Sequence, residues 1–238
     1  MQESELSMKN VELPFIRDMF DTIAPRYDLL NRLLSLRQDV WWRQAMISAM
    51  DIPGDGIVLD VACGTGDVAL EILRQKGPGV RVVGADFSPG MLLLAKDKIG
   101  TSDLHLVSGN ALSLPFREKT FDAVTIAFGI RNIVDKHTAL NAFCEQLKPG
   151  GMLLVLELAT PQKRLLRSLY LFYFKKLLPL IGWFFSKNLG AYQYLPKSVL
   201  SFPKPEAFSA IMRSAGFSNI RWRNLTLGIA TLYVGHKE

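Results

Sequence analysis

Apolar residues recur along this chain with two different spacings. Between 11 and 50 they fall at helical intervals, as at Trp42, Ala45, Met46 and Ala49, which places them near one face of a helix. Beyond this segment lie five short, nearly continuous apolar runs, at 57–61, 80–85, 104–107, 121–127 and 152–158. Such runs are typical of parallel strands that are covered on both faces. Because segments of helix-forming length separate them, the pattern predicts a helical cap followed by a doubly wound, Rossmann-like α/β sheet.

The last third of the chain changes in character. After Thr160 the sequence is rich in aromatic residues, leucine and lysine, which predicts helices inserted after the fifth strand. The runs 217–225 and 228–234 predict two strands that complete a seven-stranded sheet as an antiparallel edge. We interpret the 238 residues as one domain. Its parts are a helical cap (1–52), a core (55–160), a helical lid (161–203) and a C-terminal helix with strands (204–238).

Composition limits the class of protein. With 49% hydrophobic and 21% charged residues, the chain has the composition of a packed globular protein. Its net charge of +6 suits nucleic acid or an anionic membrane surface equally well. Cys63 and Cys144 lie too far apart for a metal-spaced pair or a disulfide framework. With no signal-like pattern near Met1 and a charged, interrupted apolar segment at 165–185, we expect a cytoplasmic protein without a spanning helix or a metal.

A glycine turn after the first predicted strand carries the strongest chemical signal. Gly64 and Gly66 allow the backbone to turn sharply and approach a ligand, and the helix that follows offers free N–H groups. Asp86 comes twenty residues after Gly66, at the end of the second strand, where a carboxylate can accept hydrogen bonds from a ribose diol. The same pattern satisfies the dinucleotide fingerprint, so an NAD-dependent dehydrogenase remains an alternative at this point.

The surrounding residues resemble class I methyltransferases that use S-adenosyl-L-methionine. The segment 60–66 resembles motif I of that class, in which an acidic residue lies near the methionine portion and the turn lies beneath the cofactor. The segment 109–116, followed by Thr120-Phe121-Asp122, resembles the part that holds adenine. The resemblance assigns cofactor binding to Asp60, Gly64, Thr65, Gly66, Asp86, Asn110 and Ala111.

Three further segments, 20–31, 128–132 and 192–198, resemble the menaquinone/ubiquinone C-methyltransferase family. The resemblance implies methylation of a ring carbon of a reduced, prenylated quinone, with demethylmenaquinol as the first expected acceptor. Naphthoquinol and benzoquinol acceptors both remain open. Two residues depart from the family pattern: Cys63 stands where glycine is usual, and Ala127 where a cofactor-binding serine is usual. Since alanine has no polar side chain, that role is not carried over.

The family reaction suggests which residues meet the acceptor. We hypothesise that Arg131 and Asn132 bind the quinol oxygens and stabilise the phenolate, while Tyr27 of the cap closes over the ring. The segment 165–194 is expected to form a lid that also touches the inner face of the membrane, with Lys175, Lys176 and Lys187 at its margin.

Two other functions are compatible with the same sequence pattern. The basic charge favours an RNA-modifying methyltransferase, but the chain has no appended RNA-binding motif, so no nucleic-acid partner is expected. A different small-molecule methyltransferase on the same fold is the other alternative.

Overall fold

The computed structural model describes residue 14 and residues 16–100, 104–174 and 189–238 of the chain. Its centre is one seven-stranded sheet with the order β3-β2-β1-β4-β5-β7-β6. The first five strands are parallel, and β7 is inserted antiparallel between β5 and β6. The strands are β1 (Ile57–Val61), β2 (Arg81–Asp86), β3 (Leu104–Ser108), β4 (Phe121–Ala127), β5 (Leu147–Leu158), β6 (Phe217–Leu225) and β7 (Ala230–Lys237). The predicted Rossmann-like sheet is confirmed, with β6 at its edge.

Helices cover both faces of the sheet and the end at which its parallel strands finish. They are α1 (Tyr27–Leu34), α2 (Gln38–Ser48), α3 (Asp67–Lys76), α4 (Pro89–Ile99), α5 (Lys136–Gln146), α6 (Arg164–Phe172), α7 (Leu189–Ser201) and α8 (Pro205–Ser214). Residues 16–23 are also helical and join α1 through the short 3-10 helix Ala24–Arg26. Together with α1 and α2 they form the N-terminal cap, while α6 and α7 belong to the segment predicted as a lid.

Alternating side chains of each strand divide the core into two layers. Val58 of β1 packs with Met46 and Ile72 on the side of α2, α3 and α4. Leu59, the next residue, packs with Phe143 and Phe208 on the side of α5 and α8. A third apolar cluster joins the cap to the lid, and its buried members are Met19, Leu30, Tyr170, Phe174 and Val199. The cap is therefore packed onto the end of the sheet where the parallel strands finish.

Candidate functional site

The glycine turn adopts the backbone that its sequence requires. Gly64 and Gly66 have φ angles of +55° and +82°, in the left-handed region that favours glycine. A Cβ at Gly64 would meet no atom within 4 Å, because this residue borders a cavity. Gly66 directly precedes α3, so the first amides of that helix follow the turn. This is the arrangement that a glycine loop needs to approach a ligand.

Asp86 lies at the end of β2, beside the turn. Its Oδ2 accepts a hydrogen bond of 2.8 Å from the Gly64 amide, and its Oδ1 accepts one of 2.9 Å from the Ser88 amide. Burial raises the pKa of Asp86, while these amide hydrogen bonds lower it. A carboxylate oxygen accepts more than one hydrogen bond. Asp86 can therefore bind a diol while it braces the loop.

A cavity of about 110 Å³ lies above this turn. Its lining includes Gly64, Asp86, Asn110 and Ala111, which are four of the seven residues predicted to bind the cofactor. The Oδ1 atom of Asn110 accepts a hydrogen bond from the Leu112 amide, with 3.0 Å between the atoms. Within the described part of the chain, its second lone pair and its amide group remain for a ligand. The predicted adenine-side and ribose-side residues thus border one space, which we call the donor cavity.

The other three predicted cofactor residues, Asp60, Thr65 and Gly66, do not line this cavity. The Thr65 hydroxyl donates instead to Asp28 Oδ1 of the cap, over 2.6 Å. Asp60 is buried beneath the turn, where the Thr125 hydroxyl donates to its Oδ1 over 2.8 Å. Among the described residues, Asp60 Oδ2 has no hydrogen-bond partner. The loop reaches the cavity through Gly64, while Thr65 and Asp60 hold the loop from behind.

A row of alternating charges attaches the cap to the loop. Lys98 of α4 lies 2.5 Å from Asp28 of the cap and 2.6 Å from Asp67, the first residue of α3. Asp67 also pairs with Arg43 of α2 at 2.9 Å, and Arg43 pairs with Asp39 at 2.8 Å. Burial raises the pKa of Asp67, but Arg43 and Lys98 outweigh it, and the net shift is downward. We call this row of five residues the cap clamp.

A second attachment lies at the start of α4. Ser88 caps this helix by accepting a hydrogen bond from the Met91 amide, and Pro89 takes the first helical position. Asp21 of the cap accepts hydrogen bonds from the Ser88 hydroxyl and from the Gly90 amide, the latter 3.1 Å long. A Cβ at Gly90 would come within 2.8 Å of Asp21 Oδ1. Close approach of the cap therefore requires glycine here.

A larger cavity of about 440 Å³ lies between the cap, the lid and the end of the sheet. Its walls are mostly leucine and aromatic side chains, among them Leu30, Trp42 and Tyr170. Arg131 and Asn31 are among its few polar wall residues. A largely apolar cavity with few polar groups suits a ligand that is mostly hydrophobic and has a small polar group at one end. We call it the acceptor cavity.

The two cavities meet at three aromatic residues, Phe20, Tyr27 and Phe128, which line both. Phe20 and Tyr27 contact each other edge to face, with ring centroids 6.2 Å apart. Phe128, just after β4, has a φ of +58°, a conformation that costs a bulky residue about 1–3 kcal/mol. The strained backbone places its ring at the boundary. Donor and acceptor spaces are thus adjacent across one aromatic partition.

The three residues predicted to meet the acceptor lie around this partition. Arg131 lines the acceptor cavity, Asn132 lines the donor cavity, and Tyr27 lines both. Asn132 Oδ1 accepts a hydrogen bond of 3.1 Å from the hydroxyl of Tyr194 in the lid. Burial raises the pKa of Tyr27, although Arg131 and Asn31 lower it in part. Tyr27 is therefore protonated at neutral pH.

Sequence reasoning missed the residue that holds Arg131. Glu157 is fully buried at the end of β5 and lies 2.8 Å from the Arg131 guanidinium. It is the only charged residue in the apolar run 152–158, and a lone carboxylate in a buried strand requires a partner. That signal could have identified it.

The two departures from the family pattern have simple structural consequences. Cys63 fills space against β2, since a Cβ at Gly84 would lie only 2.9 Å from its sulfur. Burial raises the pKa of the Cys63 thiol well above its usual value, which keeps it protonated. Ala127 lines the donor cavity without a polar side chain. Within the part of the chain that the structure describes, no three His, Cys, Asp or Glu side chains are grouped to hold a metal ion.

The cap clamp generates the first prediction. Replacing Lys98 by Met leaves Asp28 without its cation, and a hydrogen bond to a charged group contributes about 1.5–3 kcal/mol. We expect the cap to loosen over the donor cavity and the affinity for S-adenosylmethionine to fall about tenfold. Titration calorimetry measures this affinity, with Lys96→Met as the control, because Lys96 is exposed on the same helix. Equal affinities for the two variants would contradict the clamp's role.

Asp60 generates a prediction about pH. Burial raises the pKa of its carboxyl from 3.8 to about 7, with Asp86 adding to the shift and Thr125 opposing it. Between these values the unfolded chain releases a proton that the folded chain keeps, so each pH unit lowers the free energy of unfolding by about 1.4 kcal/mol. Below this window Asp60 is protonated in both states, and above it in neither.

Asp60→Asn has no such dependence. From pH 5 to pH 7 its stability relative to the native chain should therefore rise by roughly 2–3 kcal/mol. Urea unfolding at a series of pH values measures the difference, with the exposed Asp97→Asn as control. A constant difference across the range would show that Asp60 is ionised throughout.

Solved structures of other proteins share this fold. An S-adenosylmethionine-dependent methyltransferase of Thermotoga maritima superposes with a TM-score of 0.68, at 18% sequence identity, covering 93% of this chain and 99% of its own. The [4+2]-cyclase SpnF superposes equally well, with a TM-score of 0.68 at 16% identity over 93% of this chain and 94% of its own. At such identities the likeness shows the fold alone.

Sequence relatives narrow the assignment. The C-methyltransferase UbiE of ubiquinone/menaquinone biosynthesis from Geobacter sulfurreducens is 51% identical over 226 residues, which cover 93% of this chain and 88% of the relative. The demethylmenaquinone methyltransferase of Thermus thermophilus is 48% identical over 221 residues, covering 92% of this chain and 100% of the relative. The model of the ubiE/COQ5 methyltransferase family matches residues 7–237. The chain belongs to the ubiE/COQ5 family of S-adenosylmethionine-dependent methyltransferases.

Proposed function

We propose that this chain methylates a ring carbon of a reduced, prenylated quinol, with demethylmenaquinol as the first acceptor to test. The names of the two relatives support this acceptor class. The observation that carries the proposal is the pair of cavities, one bordered by cofactor-type residues and one apolar, which share Phe20, Tyr27 and Phe128. A greasy acceptor and a polar donor can therefore meet without either leaving its own space.

The donor cavity fits S-adenosylmethionine. Asp86 would accept from the ribose hydroxyls, Gly64 would allow the backbone to come close, and Asn110 with Ala111 would border the adenine. Bound there, S-adenosylmethionine supplies an electrophilic methyl group on a sulfonium, which becomes a neutral thioether on transfer. Family membership decides against the dehydrogenase that the glycine pattern alone left open.

The acceptor must become a carbon nucleophile. A phenolic hydroxyl of the quinol would lose its proton to water. The electron-rich ring carbon would then bond to the methyl group as the bond from methyl to sulfur breaks, and water would take the proton from that carbon so that the ring regains its aromaticity. Correct orientation is worth an effective molarity of about 10⁵–10⁸ M, whereas a general base contributes about 10²–10⁴-fold. Residues that hold the ring should therefore matter most. Arg131 would stabilise the phenolate oxygen from the acceptor cavity, while Tyr27 and Asn132 would confine the ring beside the donor.

The mouth of the acceptor cavity suits a prenyl tail that comes from a membrane. Leu36, Leu169 and Leu227 line the cavity although 81%, 60% and 70% of their surfaces are exposed. They come from the cap, the lid and the turn before β7, so apolar side chains surround the opening. Exposed arginines, including Arg37 and Arg164, flank them. Leucines next to basic residues suit an anionic bilayer surface.

We therefore extend the predicted membrane contact from the segment 165–194 to all three sides of the mouth. Lys175, Lys176 and Lys187 lie outside the described residues. Among the described helices, none combines the length and apolarity needed to cross a bilayer. The proposed contact is peripheral, at the inner face of the cytoplasmic membrane.

An RNA acceptor is the less favoured candidate. The acceptor cavity has leucine and aromatic walls with few polar groups, whereas RNA recognition needs basic and stacking surfaces that track a charged backbone.

Transfer of a labelled methyl group tests the proposed function directly. The chain should label reduced, short-tailed demethylmenaquinone and leave the oxidised form unlabelled, because only the reduced form has a phenolic hydroxyl to activate. Label on neither form, with S-adenosylmethionine bound, would contradict the acceptor assignment.

Arg131→Lys should separate chemistry from donor binding. Lysine keeps the charge but loses the planar fork that reaches two partners at once. We expect turnover to fall about 10²-fold, the scale of losing one donor to a developing oxyanion, and the affinity for S-adenosylmethionine to change less than threefold. A loss of donor affinity that equals the loss of turnover would place Arg131 in the donor site instead.

The membrane contact has its own test. Leu36→Ser with Leu227→Ser should lower binding to vesicles that contain phosphatidylglycerol at least fivefold, because burying one leucine contributes about 1.5–3 kcal/mol. Vesicle co-sedimentation in low and high salt measures the change. The control is Leu93→Ser, since Leu93 is 65% exposed on α4, away from the cavity mouth. Failure of the native chain to bind vesicles in either salt would refute the contact.

A further inference from the structure

Glu157 is a fully buried carboxylate at the boundary of the proposed reaction site. It is the penultimate residue of β5, with 0% of its surface exposed. Its Oε1 accepts hydrogen bonds from the Leu158 amide, at 2.7 Å, and from Arg131 Nη1, at 2.8 Å. Its Oε2 accepts from the Arg131 backbone amide at 3.1 Å. Because both oxygens accept from backbone amides, the carboxylate has a fixed position before it meets the guanidinium.

Arg131 is held through one corner of its side chain. Nη1 donates to Glu157 and also to the Phe128 carbonyl. Nε is buried and has no hydrogen-bond partner among the described residues. The guanidinium borders the acceptor cavity with only 7% of its side chain exposed. The guanidinium is planar and its Nη1 is bound to Glu157 and to the Phe128 carbonyl, so these two acceptors fix the orientation of the whole group. Glu157 thereby determines which N–H groups of Arg131 face the acceptor cavity.

Stability alone is a weak reason for this pair. Removing two charges from water costs several kcal/mol for each ion, and packed apolar residues are often as stable in their place. Arg131 lies on the boundary of a cavity that must take up an uncharged quinol and then stabilise its anion. An unpaired guanidinium there would hold a permanent positive charge against an apolar ligand. Paired with Glu157, the site is neutral until the phenolate forms.

We propose that Glu157 is a positioning residue for methyl transfer, which orients Arg131 and balances its charge so that the guanidinium meets the acceptor oxygen only as that oxygen becomes anionic. The inference rests on the proposed function, because it assumes a quinol in the acceptor cavity. Glu157 itself touches neither cavity. Its influence passes through Arg131.

Several ionisable groups lie within electrostatic reach of this pair and enter any pH dependence. Tyr27 comes from the cap, Tyr170 and Tyr194 from the lid, Lys136 from α5 and Tyr233 from β7. The tyrosines Tyr27, Tyr170 and Tyr233 have pKa values raised by burial, so they stay protonated near neutral pH. Burial lowers the pKa of Lys136, and Glu157 partly restores it. Arg43 and Asp39, which pair with each other, also line the acceptor cavity. Removing the Glu157 charge therefore leaves Arg131 as the cation of the acceptor cavity that has lost its carboxylate partner.

The test compares Glu157→Gln with Asp122→Asn. Asp122 also accepts from a backbone amide, that of Ile57, and from a cation, Lys148, but at the opposite end of the sheet. With reduced, short-tailed demethylmenaquinone as acceptor, Glu157→Gln should lower kcat at least tenfold, because the guanidinium loses its orientation. It should also raise the KM for the acceptor, because the unpaired positive charge then faces an uncharged ligand. The acidic limb of its pH profile should move to lower pH, because an unbalanced Arg131 stabilises the phenolate more strongly. Asp122→Asn should leave kcat, the KM for the acceptor and the acidic limb of the pH profile unchanged.

Two further measurements keep the proposal falsifiable. Glu157→Gln should cost much less kcat in an Arg131→Lys background than in the native chain, since the oriented fork is already lost. Glu157→Asp keeps the charge on a shorter side chain, so it should retain the native pH limb and lose turnover; it replaces the Gln variant if that variant does not fold. Quenching of tryptophan fluorescence by the oxidised acceptor reports binding without turnover, because Trp42 lines the cavity.

An unchanged pH limb in Glu157→Gln, with a kcat loss matching that of Asp122→Asn, would overturn the positioning role and leave a structural one. Additive losses in the Arg131→Lys background would overturn it as well. Both results differ from failure of the proposed function, in which the native chain itself would transfer no methyl group to the quinol.

Discussion

Asp28 of the cap accepts a hydrogen bond from Thr65 of the glycine loop and forms an ion pair with Lys98. These contacts fix the helical cap to the glycine loop. The two sides of this contact are 37 residues apart in sequence. Once the cap is in place, its residues Phe20 and Tyr27 become walls of both cavities. Each cavity therefore has cap residues in one part of its wall and residues from the end of the sheet in another. Asp21, bound to the start of α4, gives the cap a second attachment to the sheet domain.

The proposed reaction site lies between two cavities that differ in size and in the composition of their walls. On the donor side, Asp86, Asn110 and Asn132 bring polar groups to a small cavity whose other walls are largely apolar. On the acceptor side, apolar side chains surround a cavity about four times larger, 440 Å³ against 110 Å³. The boundary contains the strained backbone of Phe128 and the buried pair of Arg131 and Glu157. Backbone strain and buried charge both lower the stability of the fold. Both occur at this boundary, where the proposed reaction would neutralise a sulfonium and a phenolate.

Much of this arrangement was predictable from sequence. The strand runs are local patterns, and so are the glycine turn and the Ser88 cap, because each depends on neighbouring residues alone. Asp86 was predictable because carboxyl ends of adjacent parallel strands meet at one edge of the sheet. The hydrogen bonds of Thr65 with Asp28 and of Asp60 with Thr125 were not predictable. Whether a hydroxyl faces a ligand or a distant carboxylate such as Asp28 depends on how the cap packs, which no local period encodes.

Glu157 was only partly predictable from the sequence. Its isolation in an apolar run shows that it needs a partner, but the identity of that partner follows only from the pairing of β4 with β5, which brings Arg131 to it. The sequence shows that Cys63 and Ala127 differ from the usual family residues. Only the structure shows how Cys63 is accommodated, because its sulfur packs against Gly84, which has no side chain.

A crystal structure of the chain with S-adenosylhomocysteine and a short-tailed demethylmenaquinone tests the central claim most directly. The account predicts the adenosyl group over Gly64 and Asp86, the quinone ring at the partition with an oxygen near Arg131, and the tail along the leucines of the larger cavity. A ring that binds elsewhere, or a tail that leaves through another face, would contradict it.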